Sequence, residues 1–177
     1  MDDEIFALKK GDLLPDCDRV LRIVEITQRD RKNKNIPNVR CFSLSPNDMG
    51  SLSVDWERET TPEESVARFG ASFKHGKEVY KPYDNREVYA MEISFLNTLE
   101  YVEKVVYDPI YIGKHEKGKV NNTAHSLIKM SEALAQDCYN DPETILKMRN
   151  HAIENKMQIN FDKVHELVKE YRDIQVK

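Results

Sequence analysis

Branched apolar residues crowd the stretch DRVLRIVEIT, which predicts a strand from Val20 to Thr27. Side chains of a strand alternate, so Val20, Arg22, Val24 and Ile26 share one face while Leu21, Ile23 and Glu25 share the other. Further short strands are predicted at RCFSLS, LSVDW, REVYAMEI and EKVVYDPIYI. Polar, turn-forming stretches separate them, among them QRDRKNKNIPNVR, PNDMGS, SFKHGKEVYKPYDN and GKHEKGKVNN.

The helical signals are of a different kind. Residues 2–9 suit one or two turns closed by Gly11. In TTPEE, Thr61 is a good N-cap, Pro62 fits the first helical position, and Glu64 completes a capping box. That helix is expected to run to Phe69 and stop at Gly70. SFLNTLEYV suits a short helix capped by Ser94. From Thr123 the pattern predicts helices over 123–138, 142–155 and 161–174, with Asp141 and Pro142 opening the second.

In the last helix Val164, Leu167, Val168, Tyr171 and Ile174 form an apolar stripe at helical spacing. Ile145, Met148, Ala152 and Ile153 offer a comparable face on the helix before it, and the link NKMQIN is short. This predicts an antiparallel helix pair that closes over the sheet within one chain. The fold class is therefore α+β: a small, twisted, mostly antiparallel sheet over residues 1–122, with a helical tail over 123–177 packing on it as one structural domain.

Composition narrows the classes of function. The 177 residues are 40% hydrophobic and 33% charged, ordinary for a globular chain able to bury a core. A net charge of -4 gives no global basic field for nucleic acid or membrane. No apolar run approaches the roughly 20 residues that span a bilayer, and MDDEIFALKK lacks a signal-peptide pattern. Cys17, Cys41 and Cys138 are odd in number and far apart, which fits reduced thiols in a cytoplasmic protein. Complete motifs of P-loop enzymes, zincins and α/β-hydrolases are absent, so no metal and no cofactor is expected.

What remains are polar residues set in apolar runs. Arg22 either snorkels to water from an edge or clamps a phosphate or carboxylate with its fork of donors. Ser43 and Ser53 stand mid-strand, where a hydroxyl bonds the backbone or faces a ligand. Asp55 and Trp56 close the LSVDW strand, as turn and core residues or as a site acid with a rim aromatic. Asn122 or Thr123 can cap a helix that places His125 in its first turn, where the dipole favours a neutral imidazole able to move a proton. Two basic clusters, Arg29 to Arg40 and Lys74 to Lys81, are solvated loops or a local nucleic-acid contact.

The order DRVLRI, FSLSPNDMGSLSVDW, TTPEE, VVYDP and NNTAHSLI, over about residues 19–128, resembles a family of small bacterial proteins without an assigned activity. More distantly it resembles the RES branch of the ADP-ribosyltransferase-like toxins, which degrade NAD. That resemblance implies Arg22 or Arg19 on the NAD phosphates, Ser53 beside the nicotinamide end, and Glu63 or Glu64 as the acid, with NAD as a substrate. The chain departs from the RES pattern in lacking the tyrosine before the serine.

These readings lead to three expectations for function. One is an enzyme of bacterial or phage origin acting on an NAD-like or nucleotide ligand through Arg22, Ser53, Glu63 or Glu64, and His125. A second is an interaction module, whose C-terminal helices dock on a protein partner or a second copy. The third is a nucleic-acid binder using the basic loops.

Overall fold

A computed structural model describes residues 8–44, 50–74, 77–112, 118–131 and 143–175. Five strands, β1 (Arg19–Glu25), β2 (Ser51–Trp56), β3 (Arg86–Glu92), β4 (Val102–Tyr107) and β5 (His125–Met130), form one antiparallel sheet in the order β3-β1-β2-β5-β4. Among the described residues the α-helices are α1 (Pro62–Gly70), α2 (Ile93–Leu96), α3 (Glu143–Glu154) and α4 (Phe161–Gln175). The fold is α+β.

Alternation along β1 sends its side chains into two separate cores. Val20 and Val24 join Leu52, Val54, Trp56, Ile128 and Met130 beneath Phe42 and the α3 residues Ile145, Met148 and Ala152. Leu21 joins Val88 and Ala90 beneath Val66 and Ala67 of α1 and Val164 and Val168 of α4. So α3 and α4 lie on opposite faces of the sheet, and the expected antiparallel pair does not form. Their apolar stripes point into different cores; Val164 and Val168 of the last one are covered within the chain.

The link between those helices wraps the β3 edge. Asn155 O accepts from Ala90 N–H at 3.0 Å, and Met157 N–H donates to Val88 O at 2.9 Å. A short extended segment thus covers one open edge. At the other edge Gly11, Asp12 and Leu14 exchange main-chain bonds with Tyr107 and Val105 of β4. Both exposed ladders of the sheet are thereby blunted.

Three other elements differ from the pattern reading. Residues 40–44 of the RCFSLS stretch are not a strand: Val39–Phe42 forms a 3₁₀ turn, because the Asn38 side chain takes the Arg40 N–H at 2.9 Å. That turn buries the adjacent residues Cys41 and Phe42 in the same core, whereas neighbours in a strand face opposite sides of the sheet. Ser94 does not cap α2, which begins at Ile93, one residue earlier. The stretch expected as a helix from Thr123 instead carries β5, between β2 and β4, so the sheet draws on residues beyond 122. Ser126, Ile128 and Met130 are buried in alternation. The first helical turns up to residue 7, His75, His115, Cys138, Asp141 and Pro142 lie outside the described residues. Cys41 is a buried free thiol and Cys17 an exposed one.

The β3 edge carries a dense polar clamp. Glu87, 8% exposed, accepts both Arg29 guanidinium nitrogens (2.8 and 2.9 Å), the Tyr89 hydroxyl (2.6 Å) and the Lys156 ammonium of the link. Burial alone would push its carboxyl up, but the donors from Arg29, Lys156 and Tyr89 prevail and hold it down at about 2. A depressed carboxylate contributes stability that is complete above its ordinary value of 4.5 and lost as pH falls through about 2. The denaturation midpoint of the parent should fall across that acid window. Glu87→Gln should be less stable at neutral pH and lose less on acidification; parallel pH profiles would contradict the clamp.

The capping box of α1 is complete: Thr61 Oγ1 accepts Glu64 N–H at 3.3 Å and Glu64 Oε2 accepts Thr61 N–H at 2.8 Å. Thr61→Ala should cost about 0.5–2 kcal/mol in a denaturant titration. An unchanged midpoint would show that the box contributes nothing.

Candidate functional site

The central seam of the sheet is its weakest ladder. β1 pairs with β3 over seven residue pairs and β2 with β5 over five, but β1 and β2 share two, Val20 with Trp56 and Leu21 with Asp55. Trp56 N–H donates to Ala124 O and Met130 N–H to Gly50 O, so even-numbered residues of β2 bond to β5. Odd-numbered ones, Ser53 included, turn their amide groups toward β1. Past Leu21 that ladder stops. The Arg22 guanidinium bridges the gap, donating from Nη1 to Ser53 O at 2.7 Å and from Nε to Cys41 O at 3.1 Å.

A cavity of about 360 Å³ opens at this seam. Its floor is Leu21, Arg22 and Ile23 of β1 with Ser53, Val54 and Asp55 of β2. α1 contributes Ser65, Arg68 and Phe69 from one wall, a polar and aromatic set at helical spacing. Ser72, Lys81, Ile110, Val120, Asn122 and His125 complete it.

Three groups inside are tied to one another. Asp55, 7% exposed, accepts the Asn122 side-chain amide at 2.7 Å and lies 3.7 Å from Arg68 Nη2. Arg68 also donates to the Thr60 hydroxyl, yet its buried Nε has no hydrogen-bond partner. The Ser65 hydroxyl, on a residue 1% exposed, has none either. Two orphaned polar atoms on residues that line one cavity are costly unless something completes them.

Lys81 and His125 bring an ammonium and an imidazole to the cavity. The Lys81 ammonium lies 4.7 Å from the Phe69 ring centre, and Arg86 approaches the same ring at 4.5 Å. Burial, and secondly the charge of Arg86, lower the Lys81 pKa from its ordinary value. His125 Nδ1 lies 2.7 Å from the Asp108 main-chain oxygen and 3.5 Å from its carboxylate, and Lys10 pairs with that carboxylate at 2.8 Å. A carbonyl only accepts, so in the neutral imidazole the hydrogen sits on Nδ1 and Nε2 is the basic nitrogen.

Of the residues singled out in the sequence, Arg22, Ser53, Asp55 and His125 meet in this cavity. His125 reaches it as the first residue of β5, opposite Asp55, so the helix-dipole argument for its neutrality does not hold. The others have structural partners elsewhere. Arg19 is held bidentately by Glu57 at 2.6 Å. Trp56 is core, 5% exposed, edge-on to Tyr107 and bonded through its indole N–H to Asp18. Glu64 is spent in the capping box, and Glu63 accepts the Asn160 N–H at 3.0 Å, joining α1 to the start of α4. Ser43 donates to Arg40 O.

Sequence reasoning missed Arg68 and Ser65. Their signal is the spacing of Ser65, Arg68 and Phe69 on a helix whose other inward residues are Val66 and Ala67. Among the described residues no group of three or more His, Cys, Asp or Glu could hold a metal ion, and no helix is long and apolar enough to cross a membrane. No family model matches the chain, and no curated protein or solved structure matches it either.

The seam geometry makes Arg22 a structural residue first. Arg22→Lys keeps the charge but cannot reach two carbonyls with one planar fork. Loss of the part-buried bond to Cys41 O should cost about 0.5–1.5 kcal/mol, read as a lower denaturation midpoint without any ligand present. A midpoint equal to the parent's would free Arg22 for a ligand role alone.

Proposed function

We propose that this protein binds a small phosphate-bearing molecule, nucleotide-like in class, in the cavity at the β1–β2 seam. The observation that carries the reading is the meeting of orphaned donors and charge on one cavity wall. Ser65, Arg68 and Lys81 all line the cavity; Arg68 Nε and Ser65 Oγ are buried without partners, and the Lys81 ammonium forms no ion pair among the described residues. A phosphate offers acceptors to all three and returns the Lys81 proton affinity toward its ordinary value. The volume of about 360 Å³ lies within the range of small-molecule sites.

The same cavity has the parts for hydrolysis or transfer. His125 Nε2 would accept a proton from a water or hydroxyl while Asp108 holds the ring in its tautomer. Arg68 and Lys81 would stabilise negative charge gained by the phosphate. NAD fits this class as a substrate, in keeping with the RES-like resemblance. The glutamate of that resemblance has no counterpart here, because Glu63 and Glu64 do not line the cavity.

Calorimetric titration with adenosine monophosphate and with NAD tests the reading. Lys81→Gln removes no ion pair, so the fold should persist while affinity drops about tenfold or more. His125→Gln should bind like the parent and lose turnover. Equal affinity of Lys81→Gln and the parent, or no binding by either, would contradict the proposal.

A further inference from the structure

A second cavity, of about 630 Å³, adjoins the first and shares Ser72, Lys81, Ile110 and Val120 with it. Its own walls add Lys74, Lys77 and Lys119, with Glu78 as the one acid among the described lining residues. Among the described residues, Arg68, Lys74, Lys77 and Lys81 line the two cavities against two acids, Asp55 and Glu78. For a chain of net charge -4 this is a strong local reversal of sign.

The lysines are carried on a braced loop rather than on free chain. Phe73 bridges to Tyr80, Lys74 N–H donates to Val79 O at 2.7 Å, and Lys81 N–H donates to Ser72 O at 3.0 Å. Phe73 N–H donates to Gly118 O at 2.7 Å, and Gly118 (φ 69°) lies so close to the Phe73 ring that a Cβ would stand 1.9 Å from it. The Arg172 guanidinium covers the Tyr80 ring at 3.8 Å. Lys74, Lys77 and Lys81 form no ion pair among the described residues, so their charge is uncompensated.

We infer that the ligand carries a chain of two or more phosphates, which runs from the seam cavity past Lys81 into the lysine-lined cavity. This rests on the proposed function and specifies its substrate class: a nucleoside di- or triphosphate, or a dinucleotide joined by pyrophosphate. The nucleoside belongs in the seam cavity, where Ile23 and Phe69 give it apolar surface. The first phosphate belongs with Arg68, Ser65 and Lys81, and those beyond it with Lys74 and Lys77 of the second cavity. Lys81, on the shared wall, contacts both halves.

The test is calorimetry on the full chain with AMP, ADP, ATP and inorganic tripolyphosphate, for the parent and for Lys74→Ser/Lys77→Ser. Affinity should rise about tenfold or more from AMP to ADP. The double variant should lose that rise and keep the parent's affinity for AMP. AMP bound as tightly as ADP would overturn the inference and leave the seam site standing. Tripolyphosphate bound as tightly as ATP would exclude a nucleoside and overturn it in another way. No binding of any nucleotide would remove the seam reading as well. Tighter binding of a single-stranded oligonucleotide than of ATP would make the groove a nucleic-acid track and overturn it too.

Discussion

The contact on which this structure turns is the Arg22 guanidinium laid across the seam between β1 and β2. Two residue pairs hold that seam in the middle of a five-stranded sheet whose outer ladders are far longer. A gap in a central ladder leaves main-chain carbonyls without a partner on the neighbouring strand. Arg22 closes it with donors from one planar group to Ser53 O and Cys41 O. The solution keeps the strands apart, and the space between them is where the cavity forms.

The C-terminal helices then fix what surrounds that space. Because Asn155 to Met157 cross the β3 edge, α3 covers one face while α4 covers the other. α4 reaches the end of α1, where Arg172 donates to Gly70 O at 2.8 Å and Gln175 to Ala71 O at 3.0 Å. These satisfy carbonyls that a helix end leaves open. Arg172 also stacks on Tyr80, and Tyr83 packs so closely on Gly70 that a Cβ there would stand 2.5 Å from its ring. One helix thus positions both α1, with Ser65 and Arg68, and the loop that brings Lys81. Packing far from the cavity sets its walls.

Much of this was legible in the sequence, wherever one local interaction dominates. Thr61, Pro62 and Glu64 declare the start of α1 because the box is self-contained. Arg22 and Ser53 drew notice because polar groups in apolar strands must be accounted for, and both line the cavity. β5 was not legible. Asn122 does take a nearby amide, that of Ala124 at 3.2 Å, but here the bond makes a turn before a strand rather than a helix cap. The local chemistry is the same; the choice belongs to β2 and β4, which lie far away in sequence. Arg68 escaped for the opposite reason, since a charged residue on a helix reads as solvent-facing until α1 is docked on the sheet. The placing of α3 and α4 on opposite faces needed the β3 edge, which no stripe on either helix encodes.

The central claim is that the seam cavity is an anion site completed by its ligand. Crystals grown with ADP test it most directly. The account predicts phosphate density within hydrogen-bonding distance of the Arg68 Nε, the Ser65 hydroxyl and the Lys81 ammonium. Phosphate seated elsewhere on the molecule, with the Ser65 hydroxyl and Arg68 Nε still lacking partners in an occupied crystal, would contradict it.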